Sequence, residues 1–498
     1  MKNSIFFVLC LGIIMRLSAQ SGDLDLSFDT DGIVHTALSP DDDFITAITS
    51  QPDSKILVAG YYYVSNSYVS VIVRYNTDGS LDSTFDNDGI IEYYNKIVIR
   101  SIAVQADGKI LGVGGKYNGI TTDFAILRYN SDGSVDNSWG ANGLILTNML
   151  ASGGPSSVHI QADGKIVLAG TCISTNQSFA CAARYNTDGT LDNTYGVGGI
   201  AKADSEYVAF IHYSTMQPDN KVIVGWGGIN HTALARFTAN GSVDNTFNGV
   251  GIVNNWNAPA NSIALQANGK IITSGSISDD TQDYFQLTCY NSDGSLDMNF
   301  GDSGFIKLDA YKYLGLSKGL ITQPDEKIIA GGISYGKFAM IRFLPNGDFD
   351  TAFGDSGRVY TEVGGGGINA LHFTPNGKIL AGGSVGVTGL GGTSYWAIAR
   401  YHSGLSLYLA NPFFDAFDMH IFPNPTNGIL NLQLAEPLPE EADIAVYTSE
   451  GKEVYRTKLR KQATDTRLYL YQLPQGMYEC VLRVGGNKLF SNSFLKLN

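Results

Sequence analysis

The carboxylates, bases and imidazoles of this 498-residue sequence are where chemistry would reside, and several sets of them recur about every 50 residues. Asp29-Thr30-Asp31-Gly32 and Asp86-Asn87-Asp88-Gly89 show the alternating oxygens of a calcium loop. Calcium takes about six to eight oxygens, and the EF-hand spacing closes on a distal Glu. Neither stretch has that Glu in place, since Glu92 follows Asp86 too soon, so both read as turns, with calcium as the alternative. Asp82, Asp136, Asp192, Asp244, Asp297 and Asp350 each follow Leu, Val or Phe at one place in a repeating unit. Lys55, Lys109, Lys165, Lys221, Lys270, Lys327 and Lys378 recur too, as do Arg74, Arg128, Arg184, Arg236, Arg342 and Arg400. A catalytic group is needed once; a group needed in every unit has a structural task. Asx-type bonds to nearby N–H groups suit the aspartates, and pairing with those turn carboxylates suits the arginines.

The seven histidines (35, 159, 212, 231, 372, 402 and 420) form no metal spacing. His159 and His372 hold the same place in two units and read as core or surface histidines. No GxSxG, HExxH, Walker loop or Cys/His pair appears, and Gly364 to Gly367 reads as a loop because no helix pattern follows it. No catalytic, cofactor-binding or metal-ligating residue is therefore assigned. What differs between units is more informative. The stretches 61–70, 116–123, 171–178, 276–283 and 384–394 are the least alike. Loops on a rigid scaffold carry function. Tyr61, Tyr62, Tyr63 and Tyr68 offer aromatic faces to a sugar or a peptide, ordinary edge-strand tyrosines being the alternative.

The elements that position these residues follow from the repeat. The phrase QPDSKILVAG at 51–60 returns as QADGKILGVGG at 105–115 and, in worn form, five more times, ending with TPNGKILAGG from Thr374. Its lysines are separated by 54, 56, 56, 49, 57 and 51 residues. Between them runs a second phrase, RYNTDGSLDSTFDNDGI at 74–90. Each unit reads as four short strands; in the second these are 101–105, 109–115, 124–130 and 144–147. Asp-Gly and Asn-Gly suit the tight turns between them. Four strands in about 50 residues is propeller-blade spacing. The seventh unit stops at RYHSGLSL (400–407) without the second half of its phrase, and GDLDLSFDTDGIV near the N-terminus is that half. Residues 22–36 are thus expected to complete the sheet built from 370–407, which leaves no unpaired edge. The fold class expected is all-β: a seven-bladed β-propeller closed by its N-terminal strand over residues 20–407.

The two phrases together resemble the delta-sixty repeat family, over about 22–407. Cys289-Tyr290 replaces Arg-Tyr in unit five, and unit seven is worn after Tyr401. The resemblance implies a propeller-like fold and extracellular display, with no fixed activity.

Residues 408–418 read as a linker, and 419–498 as a small Ig-like β-sandwich of alternating apolar residues and Gly turns. This segment resembles the type A C-terminal sorting domain of the type IX secretion system of Bacteroidetes. The resemblance rests on Phe422-Pro423-Asn424-Pro425 with Asn427-Gly428, Tyr447 with Glu450-Gly451-Lys452, and Leu473 with Gly476-Met477-Tyr478. It implies handling by the type IX machinery, outer-membrane export, and either surface attachment or release. Lys2, the apolar run from Ser4 to Met15 and a cut after Ala19 read as a signal peptide at 1–19. That run is short for a membrane span, and no other stretch is long and apolar enough for one. Cys172 and Cys181 flank a hairpin tip symmetrically, where a disulfide and two half-buried thiols fit equally.

Of the 33 basic and 47 acidic residues, 419–498 holds nine and eight, and Lys2 and Arg16 lie in the leader; 20–418 therefore carries 22 bases and 39 acids, net −17. Such a ring repels phosphate backbones and excludes nucleic acid as a partner. The expected function is an extracellular, surface-bound or released binding protein for a glycan or protein, without catalysis. The alternatives are a polysaccharide hydrolase or lyase and a structural matrix protein.

Overall fold

The computed structural model describes residues 20–497 apart from 65–66, 150–151, 175–176, 205–210, 229–230, 257, 259, 279–281, 311, 387–392, 406–418, 423–425, 435–437, 439–440, 449–451 and 485–486. The leader (1–19) and the linker (408–418) lie outside the described residues. The chain divides into two compact units between Leu405 and Ser406. Among the described residues there is no α-helix, and none long and apolar enough to cross a membrane.

The first unit is seven four-stranded antiparallel sheets. The first blade is Asp43–Ser50, Ile56–Val64, Ser67–Tyr75 and Ile90–Tyr93 in spatial order. Its middle strands are buried almost end to end, as the unbroken apolar runs of the repeat demand. Side chains of neighbouring blades merge into shared cores: Leu57, Ile72 and Phe85 of the first blade pack with Ile99, Ile110 and Tyr129 of the second. In the second blade the strands are Ile97–Val104, Ile110–Tyr117, Thr122–Tyr129 and Leu144–Thr147. The inner strand is longer than the sequence suggests, and it contains a β-bulge between Ile99 and Ser101.

The last blade is built from Gly366–Phe373, Lys378–Gly386 and Ser394–His402, and its fourth strand is Ile33–Thr36, with Ile33 opposite Ala399 and Thr36 opposite Trp396. The half-phrase at the N-terminus is the missing half of the last unit. Its neighbour across the ring seam is the first blade: Ile45 N–H donates to Ser384 Oγ at 3.2 Å, and Ser50 Oγ meets His372 Nε2 at 2.9 Å.

The second unit has a three-stranded sheet (Met419–Phe422, Ile429–Leu434, Asp465–Tyr469) and a four-stranded sheet (Glu453–Leu459, Ala442–Thr448, Gly476–Val484, Asn487–Lys496). Both feed one core that includes Leu430, Leu432, Leu468, Ile444, Leu482 and Phe494.

Candidate functional site

The two ends of the propeller differ in how closely the repeat is kept. At one end, where the inner pair of strands turns, the recurring Asp, Lys and Arg meet. In the first blade Asp82 Oδ2 takes Arg74 Nε at 2.7 Å and Lys55 Nζ at 2.7 Å. Asp82 Oδ1 accepts from Thr84 N–H at 3.1 Å and Thr84 Oγ1 at 2.7 Å. The same constellation joins Arg128, Asp136 and Lys109; Arg184, Asp192 and Lys165; Arg236, Asp244 and Lys221; and Arg342, Asp350 and Lys327. In the seventh blade Asp25 from the N-terminal piece supplies the carboxylate to Arg400 and Lys378.

Each of these arginines also lies over an aromatic ring of its own unit, Arg74 over Phe85 at 4.3 Å and Arg128 over Trp139 at 4.5 Å. The guanidinium then donates across the blade boundary: Arg74 to Ser131 O, Arg128 to Thr187 O, Arg184 to Ala239 O, Arg236 to Ser292 O, Arg342 to Ser403 O and Arg400 to Thr77 O. The recurrent charges are an inter-blade clamp. Burial works against the Asp82 carboxylate, but the bonds from Lys55 and Thr84 and the Arg74 charge outweigh it and hold its pKa well below the usual range; Asp244 falls to about 2 in the same way.

The turns first weighed as calcium loops carry positive φ at Asp29, Thr30, Asp86 and Asn87, and Asp31 and Asp88 each cap the backbone N–H two residues on. Among the described residues no three of His, Cys, Asp and Glu gather as a metal site.

The opposite end carries the variable hairpins and the mouth of the central channel. A cavity of about 640 Å³ is lined by residues from the inner strands of all seven blades. Five residues ahead of each Gln or Thr anchor stand Thr46, Arg100, Ser156, His212, Asn261, Lys318 and Asn369. Thr46, Arg100, Ser156, Asn261, Lys318 and Asn369 line this cavity, and the side chain of His212 lies outside the described residues. Thr46, Arg100, Ser156 and Asn369 are the extra residues of β-bulges, and Lys318 falls inside a wider register shift. A bulge re-aims one side chain out of the pleat, and bulges concentrate beside functional sites. One sequence position of the repeat thus presents different chemistry to one channel in six blades. Sequence reasoning missed this set because it assumed regular strands; alignment on the Gln anchor would have brought these polar residues, five ahead of it, into one column.

The proposed tyrosines sit beside this mouth. Tyr61 stacks on Phe44 at 5.1 Å, and Tyr63 and Tyr68 lie edge-on to it at 5.8 and 6.1 Å. Phe44 and Tyr61 line the channel cavity. Tyr68 lines a second cavity of about 490 Å³ that shares Arg100 and Ser156 with the first. Tyr62 points to the other face, is buried, and donates to Glu92 Oε1 at 2.7 Å. Tyr213 reaches the channel from the fourth blade, and its phenol is buried. Asp43, at the start of the first inner strand, is fully buried; its oxygens accept from Leu38 N–H and Ser39 Oγ, and burial raises its pKa. Neither His159 nor His372 reaches the mouth: each is bonded to a serine of an adjacent inner strand, and burial lowers its pKa to about 4. Cys172 and Cys181 are joined as a disulfide across one of the variable hairpins.

In the second unit, Phe422 is exposed and ends its strand, while Pro423, Asn424 and Pro425 lie outside the described residues. Asn427 is exposed. Gly428 has φ +122° beneath Tyr471, where a Cβ would fall 2.6 Å from the ring. Gly476 opens a core strand, and Tyr478 is buried against Phe494 with its hydroxyl on Pro474 O at 2.9 Å.

Residues 51–85, 105–138, 161–195, 217–247, 266–300, 323–353 and 374–407 match the family model described as "Domain of unknown function (DUF5122) beta-propeller", and residues 420–494 match "Secretion system C-terminal sorting domain". No curated protein matches the sequence. Among solved structures, the polysaccharide lyase Uly1 is 13% identical with TM-score 0.46, over 74% of this chain and 91% of its own. Chaetomium thermophilum Sqt1 is 11% identical with TM-score 0.45, over 78% and 100%. Drosophila Semaphorin 2a is 8% identical with TM-score 0.44, over 95% and 98%. Likeness at this level carries no argument about ligand or activity. The chain carries seven DUF5122 β-propeller repeats and a type IX secretion sorting domain, which marks an exported protein destined for the outer-membrane surface or the medium.

Proposed function

We propose that this exported propeller is a binding protein whose ligand, a glycan or a protein segment, is held at the channel mouth on the variable-hairpin end. One observation carries the reading. Equivalent positions, five residues ahead of each anchor, present Thr46, Arg100, Ser156, Asn261, Lys318 and Asn369 to a single cavity, whereas the opposite end repeats one clamp in six of the seven blades. Uniform positions hold the ring together; varied ones read a ligand. The stacked Phe44 and Tyr61, flanked by Tyr63 and Tyr68, offer a sugar-sized aromatic face beside that cavity.

The wording QxDGKI and RYNxDG supports reading the repeats as delta-sixty repeats. Residues 1–19 as a cleaved leader, 20–407 as the displayed module, 408–418 as linker and 419–498 as a removable address complete the proposal. The reading needs no cofactor and no catalysis.

The test is a glycan and peptide array with the purified chain beside an Asn369→Trp variant that fills the channel, followed by a reducing-end assay on each binder. Binding that the variant abolishes, without new reducing ends, is expected. Binding indifferent to the variant overturns the location, and new reducing ends overturn the non-enzyme reading in favour of a polysaccharide hydrolase or lyase.

A further inference from the structure

We infer that the channel mouth recognises an anionic sugar, one bearing carboxylate or sulfate groups; this rests on the binding reading above and specifies its ligand. Residues 20–418 have net charge −17, yet among the described residues no carboxylate lines either of the two cavities at the mouth. Their charged groups are Arg100, Lys318 and Lys96. All three are exposed, and none makes an ion pair or side-chain hydrogen bond with a described residue. That contrasts with the other end, where every repeat lysine is held by an aspartate.

Arg100 and Lys318 occupy the same bulge position in the second and sixth blades, so both stand at the wall of one channel. Two unpaired cations in a concavity with no counter-charge repel each other and favour an anion entering between them. The guanidinium fork matches a carboxylate or sulfate with two parallel N–H bonds, and the ammonium supplies a point charge.

The remaining groups fit a sugar better than an acidic peptide. Around the cations stand short hydroxyl and amide side chains, Thr46, Ser157, Ser214, Ser262 and Asn369, suited to bonding hydroxyl groups in several directions. Tyr61, stacked on Phe44 and close enough to Arg100 for that charge to act on its phenol, gives the apolar face of a pyranose a surface. A volume of about 640 Å³ lies within the usual range of a small-ligand site and continues past Arg100 into the second cavity beside Tyr68 and Tyr117, so a short oligomer has a path.

The deciding experiment is calorimetric titration of the full chain with oligogalacturonate, a sulfated galactan oligomer, a neutral cello-oligomer of equal length and a poly-Glu peptide, at low and moderate salt. At least one acidic sugar is expected to bind about tenfold or more tighter than the neutral one, and to weaken with salt. Arg100→Ala and Lys318→Ala are each expected to weaken it about tenfold, the loss of one charge-assisted hydrogen bond. Neither side chain is bonded to a described residue, so unchanged melting temperatures would show that both variants fold. Arg100→Lys should recover part of the loss, and Tyr61→Ala should weaken the acidic sugar without altering its salt dependence. Neutral sugar binding as well as acidic, with Asn369→Trp abolishing both, would overturn this inference and leave the binding function standing. Poly-Glu binding tighter than any sugar would overturn it too, and so would acidic-sugar binding indifferent to Arg100 and Lys318. Failure of every probe to bind would count against both readings.

Discussion

Arg400 Nε and Asp25 Oδ2 lie 2.9 Å apart, although 375 residues separate them in the chain. Lys378 reaches the same oxygen at 3.0 Å, and Arg400 continues to Thr77 O in the first blade. The three-way contact joins the N-terminal piece, the last blade and the first, and it reproduces inside one blade what the other units assemble from consecutive sequence. The seam of the ring is made from the same clamp as the other junctions.

Asp25→Asn keeps the size of the side chain and removes its charge, leaving Arg400 buried beside Lys378 without its ion-pair partner. Asp25 and Arg400 are 6% and 9% exposed, and breaking a buried pair from one side costs about 3 kcal/mol or more. The variant is expected to melt several degrees lower than the parent. Asp78→Asn, at a fully exposed turn, is the control and should melt with the parent. Equal melting temperatures for all three proteins would show that the N-terminal piece contributes no stability through this contact.

The fifth blade has the carboxylate and the lysine of the clamp but Cys289 in place of arginine: Lys270 Nζ lies 2.7 Å from Asp297 Oδ2, and Cys289 Sγ lies 3.7 Å from it. Gln266 Oε1, the counterpart of the acceptor that Gln323 offers Arg342 at 3.1 Å, is buried with no hydrogen-bond partner. Its amide instead donates to Glu326 O in the sixth blade at 2.7 Å. Cys289→Arg would place a guanidinium between Asp297 and Gln266, over Phe300, with Pro345 O as its target across the boundary. A gain of about 1–2 kcal/mol in unfolding free energy is expected, read by denaturant titration. A loss would show that the fifth blade has closed over the space its neighbours keep for arginine.

How much of this was legible beforehand follows from what repetition reveals. Asp82 and its equivalents, the seven lysines and the arginines announced a structural task by recurring, and the half-phrase around Asp25 announced its partner by being absent elsewhere. The channel-lining set was hidden for the opposite reason. Arg100 and Lys318 look like ordinary exposed charges within strands, because a bulge leaves no mark in composition and only the pairing register shows it. Tyr61 to Tyr63 were visible as a run, but a strand sends alternate residues to opposite faces, so Tyr62 left the group for Glu92 while Tyr68 joined it from the neighbouring strand.

Acid should act on this fold in two stages. Burial lowers the pKa of His159 and His372 to about 4, below the unfolded value near 6.5. Their stabilisation is complete above the unfolded value and is lost as pH falls toward the folded one, because the unfolded chain takes up the protons first. The clamp aspartates are depressed below the ordinary carboxylate range, so their contribution is present above about pH 4 and disappears below it. Melting temperature should therefore hold steady near pH 7–8, decline gently from about pH 6.5 to 4, and fall steeply below that. The double variant His159→Gln, His372→Gln is expected to make the first stage shallower and keep the second, the remainder coming from His231 and His402, whose pKa values burial also lowers. A profile that the double variant leaves unchanged would refute the assignment.

Tyr213 stands directly opposite Gly225, and a Cβ on that glycine would lie 1.9 Å from Tyr213 Cε2. In the other blades the pair opposite each other at this place is Ala47 with Ala59, Ser101 with Val113, Ser157 with Ala169, Ser262 with Ser274, Gly319 with Gly331, and Ala370 with Gly382. Only the fourth blade sends a large ring toward the channel at this position, and only by emptying the position beneath it. Gly225→Ala should expel the ring from its buried seat, with a cost of about 1–3 kcal/mol from overpacking. The displaced phenol would enter the channel mouth, so ligand affinity should fall as well. Adding Tyr213→Ser, which reproduces the pairing of the third blade, should restore stability to the Gly225→Ala protein. Rescue of stability without rescue of binding would show that the Tyr213 ring itself is part of the surface the ligand touches. Rescue of both would make it only an obstacle when displaced.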